Sequence, residues 1–67
     1  MNQRVALQRT YLLLLQSHRD AYGVDPELCV RIEEALSVLH HLWPGETAEA
    51  IAIEAKRVEL EKRFLLH

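Results

Sequence analysis

Only one cysteine, Cys29, occurs in this chain, which excludes an internal disulfide. Glycine and proline are almost as sparse, at two residues each. Gly23 and Gly45 stand alone, so the consecutive backbone amides of a phosphate-binding loop are missing and no nucleotide cofactor is expected. Positive charge is not in excess either: eight Lys and Arg are set against ten Asp and Glu, a formal net charge of −2. A nucleic-acid-binding domain ordinarily shows a basic stripe, whereas Arg4, Arg9 and Arg19 do not all share one helical face. The apolar run from Tyr11 to Leu15 falls far short of the roughly 20 residues a membrane-spanning helix requires.

What the chain does contain is hydrophobic residues in helical spacing. They make up 49% of its 67 residues, as in an ordinary folded domain, and the length allows a single domain over 1–67 with one modest core. Small domains add stability through disulfides, metals or association, and without a disulfide the expectation is association. The lone thiol and the lack of a recognisable leader favour a reducing cytoplasm.

The first segment, about 3–22, repeats Leu7, Tyr11, Leu14, His18 and Ala21 at steps of four and three. A second stripe, Val5, Leu12, Leu15 and Tyr22, lies beside it, and Leu13 points almost opposite. A helix apolar nearly all round is expected at the centre of a bundle. Gly23 can end it in the left-handed conformation, and Asp25 followed by Pro26 supplies a cap and a first-turn proline for the next helix.

The second segment, about 26–43, carries Leu28, Ile32, Ala35, Leu39 and Leu42 on one stripe flanked by Cys29, Leu36 and Trp43. Pro44 and Gly45 read as its stop, and Trp43 as the plug of that corner. The third segment, about 47–66, is expected to begin with Thr47 as its cap. Ile51, Ala55, Val58, Leu65 and Leu66 define one face and Ile53, Leu60 and Phe64 the other.

Short connections make successive helices antiparallel. The expected architecture is all-α, either a three-helix bundle or a helical hairpin with a C-terminal helix that pairs elsewhere, self-associating in both cases. The first segment is basic and the second acidic, so attraction between them is expected.

Catalytic and metal constellations are weak. The four histidines, His18, His40, His41 and His67, include an adjacent pair that points in divergent directions. The best-spaced trio, Cys29, Glu33 and His40, spans almost three turns, too far to share an ion within one chain. His18 reads as a hydrogen-bonded histidine at the core edge. Ser37 and His41 lie one turn apart without a third member or an oxyanion site, and Glu33 and Glu34 read as a solvated face. No catalytic, cofactor-binding or metal residue is therefore assigned, and no small-molecule substrate or membrane contact is expected.

The surface is the remaining source of function. Ile53, Leu60 and Phe64, aligned on the back of the third helix, with Leu13 as a second patch, are the expected protein interface. The reading is a non-enzymatic interaction module, such as an adaptor, co-chaperone or inhibitor, that binds a protein partner or itself. The alternative is a small dimeric DNA-binding transcriptional regulator using Arg4, Arg9 and Arg19 on phosphates.

Overall fold

A computed structural model describes residues 2–65. It contains α1 (Gln3–Ala21), α2 (Pro26–Leu42) and α3 (Pro44–Leu65), which pack against one another with no strand among the described residues. Leu66 and His67, included in the sequence reading, lie outside the described residues. The central place expected of the first helix is found: α1 packs extensively on both neighbours, while α2 and α3 touch each other less. The result is a flattened bundle with dimensions of 39 × 28 × 18 Å.

The first boundaries follow from local chemistry. Asn2, which the sequence reading did not single out, caps α1 by accepting the Val5 N–H through Oδ1 at 2.9 Å. Gly23 has a φ of 77°, and the N–H groups of Val24 and Asp25 return to the Ala21 carbonyl at 3.0 and 2.9 Å. A side chain at Gly23 would meet no neighbour, so the constraint there is the backbone conformation alone. Asp25 Oδ1 then accepts the Leu28 N–H at 3.1 Å, with Pro26 in the first turn of α2.

The second boundary corrects the sequence reading. The third helix starts at Pro44 rather than Thr47, and Trp43 alone separates it from α2. Proline has no N–H to lose in a first turn, and its fixed φ suits that position, so Pro44 opens α3 as Pro26 opens α2. Trp43 serves both helices: its N–H donates to Leu39 O at 2.9 Å, and its carbonyl accepts the Thr47 N–H at 3.1 Å. Thr47 is consequently not a cap. Its side chain is fully buried; Oγ1 donates to the Trp43 carbonyl at 2.9 Å and accepts from Nδ1–H of His40 at 2.6 Å. Those bonds tie α2 to α3.

The apolar core is small. Ala21, Cys29 and Ile32 form its buried cluster, with Leu14 and Leu36 packed against it, and Tyr11 and Ala50 are buried elsewhere along α1 and α3. Burial pushes the Tyr11 hydroxyl above its ordinary range. Leu28 and Leu42, expected in the α2 stripe, are exposed, because the buried edge of α2 is rotated toward Cys29 and Ile32.

A larger departure concerns α3. Its inward face is Thr47, Ala50 and Glu54, continued by half-buried Arg57, Val58 and Glu61. Among the described residues of the expected inner face only Val58 is partly covered; Ile51, Ala55 and Leu65 are exposed. The physical reason is charge. Arg19 of α1 donates through Nη1 to Glu54 Oε1 at 2.8 Å and through Nη2 to Glu61 Oε2 at 3.4 Å. Arg57 reaches the same Glu54 carboxylate at 2.7 and 3.1 Å and also bonds Glu61. At the opposite end Arg4 and Gln8 donate to Glu49. The arginines at both ends of α1 thus answer the third helix and not the acidic second one, contrary to the expected attraction. His18 with Glu33 links α1 to α2 in this way.

Hydrogen bonds from Arg57, and then Arg19, hold the buried Glu54 carboxyl below its ordinary value despite its desolvation. A group lowered in the folded state stabilises it above the ordinary carboxylate range, and this contribution disappears as the pH falls through the lowered value. Glu54→Gln should therefore lower the melting temperature at pH 7 by roughly 5–10 °C. The gap from the unsubstituted chain should narrow below about pH 4; a gap unchanged at acid pH would show that Glu54 acts through packing alone. Thr47→Val, which removes a buried hydroxyl at nearly constant volume, should cost roughly 5 °C by the same measurement.

Candidate interaction surface

Ile53, Leu60 and Phe64 occupy a flank of α3 because its charged stripe faces α1. They are 51%, 45% and 80% exposed, and Leu13, on the outer side of α1, is 63% exposed. Steps of seven and four from Ile53 bring the α3 residues into one line along about three turns. Leu13 lies apart from that line, in a shallow depression shared with Arg9, Leu12 and Gln16. Leu13 and the α3 flank are therefore separate apolar patches.

Charged groups frame the α3 flank. Glu49 lies toward its N-terminal end, and its carboxyl is held below the ordinary value chiefly by the hydrogen bond from Arg4. Arg63 near the other end donates to Glu59 at 3.0 Å, the favourable pairing of residues four apart on a helix. These ion pairs are solvent-exposed and contribute more to side-chain placement than to stability. Further apolar side chains, among them Val30, Val38, Ile51 and Leu65, are also exposed.

Trp43 is half-buried at the end of the bundle, where it borders a concavity with Asn2, Gln3, Arg4, Leu7 and Glu46. That position agrees with a corner plug. Ser37 and His41 are both exposed on α2.

The histidines are distributed differently from the best-spaced sequence trio. His40 turns to Thr47, and His18, from the neighbouring helix, joins Cys29 and Glu33 instead. Nε2 of His18 is 2.9 Å from Oε2 of Glu33. This bond is the first cause of a lowered Glu33 carboxyl, while burial, followed by the charge of Glu33, pushes the Cys29 thiol up. The expectation that His18 is a hydrogen-bonded core-edge residue is met, but its partner could not be read from one helix: Glu33 is 15 positions away and reaches it only across the hairpin.

Glu54 was also missed. Its signal was present in the spacing of Glu54, Arg57 and Glu61, which places an acid, a base and an acid on one helical edge. Such a pattern usually marks a solvated face, and only the position of Arg19 on another helix turns it inward. No helix among the described residues is long and apolar enough to cross a membrane. Compared with known protein families, curated proteins and solved structures, the chain matches none.

Proposed function

We propose that this chain is a non-enzymatic protein-interaction module, of the adaptor, co-chaperone or inhibitor kind, that works by helix packing. The aligned flank Ile53, Leu60 and Phe64 is its contact surface, and a second copy of the chain is its first occupant. The supporting observation is an excess of surface. A compact monomer of 7.8 kDa exposes about 4,400 Å², against 5198 Å² here. The difference, about 800 Å², is comparable to what each partner buries in a standard protein interface. The Cα radius of gyration points the same way, at 13.0 Å against about 11 Å for a compact chain of this length.

Chemistry supports the choice of face. The exposed residues of that flank are large and apolar, whereas the charged stripe beside it is already occupied by α1. The rival reading, a dimeric DNA-binding regulator, draws on Arg4, Arg9 and Arg19. Arg4 is bonded to Glu49, and Arg19 to Glu54 and Glu61, so phosphate contacts from these two would have to displace carboxylates. The interaction reading requires no such exchange.

Sedimentation equilibrium over a wide concentration range tests it. Self-association is expected for the unsubstituted chain, and Leu60→Glu should weaken it at least about tenfold while leaving helicity intact. A chain that stays monomeric at every concentration would overturn the assignment of a second copy. Loss of helicity together with association in Leu60→Glu would place Leu60 in the core and remove it from the interface.

A further inference from the structure

His18, Cys29 and Glu33 have no task in the interaction reading, yet they converge at the closed end of the α1–α2 hairpin. His18 is one turn before the end of α1, and Cys29 and Glu33 are one turn apart near the start of α2. A separation of four puts the last two on one helical edge. The hairpin turn brings the imidazole across to them. One possible ligand atom from each residue lies within 4.8 Å of the other two.

That arrangement approaches the donor triangle of a tetrahedral ion. Bonds of about 2.0 to 2.3 Å set ligand atoms roughly 3.5 Å apart, so closing the trio requires side-chain rotation rather than helix movement. The surroundings restrict its geometry. Cys29 is packed with Ala21 and Ile32 in the apolar core, and the His18 ring lies 6.2 Å from that of Tyr22. Glu33 remains exposed, which leaves a route in from solvent.

We propose that His18 Nε2, Cys29 Sγ and the Glu33 carboxylate bind one divalent cation of the zinc class, joining α1 to α2. The donor set selects the ion. Magnesium and calcium take oxygen ligands, whereas a thiolate and an imidazole favour a borderline metal. Three protein donors leave the fourth tetrahedral position for water or for a donor from another molecule. The thiolate and carboxylate together neutralise a dication. Binding releases the Cys29 thiol proton to solvent; a neutral His18 ring keeps its one proton on Nδ1 with Nε2 bare for the metal, a charged ring gives its Nε2 proton to solvent, and the His18–Glu33 hydrogen bond is replaced, so affinity rises with pH.

The test is titration of the full chain with Co(II), a spectroscopic substitute for zinc, in the presence of a non-thiol reductant. One bound cobalt per chain is expected, with a sulfur-to-metal charge-transfer band and the intense visible bands of tetrahedral cobalt, both abolished by added zinc. Cys29→Ser should remove the charge-transfer band. His18→Gln, at a half-exposed position that can keep the fold, should weaken binding by about tenfold or more while circular dichroism of the metal-free chain is unchanged. Absence of the thiolate band, or cobalt affinity unchanged in both variants, would assign any binding to surface histidines and overturn the proposal. The outcome does not depend on the oligomeric state.

Discussion

A carboxylate largely covered by its neighbours organises this molecule. Glu54 is buried on the inward face of α3 and satisfied by Arg19 from α1 and Arg57 from its own helix. Removing a carboxylate from solvent is tolerated only with such partners in place. Their positions fix the rotation of α3 about its axis, and that rotation determines which side chains are left outside. Ile53, Leu60 and Phe64 are exposed because Glu54, Arg57 and Glu61 are turned in.

Polar contacts therefore define one side of the bundle and apolar contacts the other. Between α1 and α2 the cluster of Ala21, Cys29 and Ile32 provides conventional burial. Along α1 and α3, outside that cluster, the buried residues are a tyrosine, a threonine, an alanine and a glutamate, and Arg19 of α1 bonds the last of them. Apolar burial is non-directional, whereas ion pairs and hydrogen bonds demand particular partners. The first interface supplies cohesion, and the second supplies register.

Much of the helical architecture was legible in the sequence. The Leu7–Ala21 stripe, the Gly23–Pro26 joint and the centrality of α1 follow from spacing and from the chemistry of caps and glycine. The second joint was not read correctly, because Pro44 suits both a helix stop and a helix start, and only the bonds made by Trp43 decide between them. The inner face of α3 was missed for a different reason. Hydrophobic periodicity ranks Ile51 above Glu54 for burial, and it cannot register an arginine supplied by a helix 35 residues earlier in the chain. The outward positions of Ile53, Leu60, Phe64 and Leu13 were legible, since no single inner face could include them all. The meeting of His18 with Glu33 was not, since it requires knowing how far the hairpin rotates one helix against the other.

The one-residue joint at Trp43 has a consequence for the order in which the bundle assembles. The α1–α2 hairpin closes a short loop, with His18 and Glu33 only 15 positions apart, whereas the contacts of α1 with α3 join residues 35 to 45 positions apart. Closing the longer loop carries the greater entropic penalty, which favours formation of the hairpin ahead of the docking of α3. Trp43, which carries the last donor of one helix and the first acceptor of the next, makes that docking a swing about a single pivot.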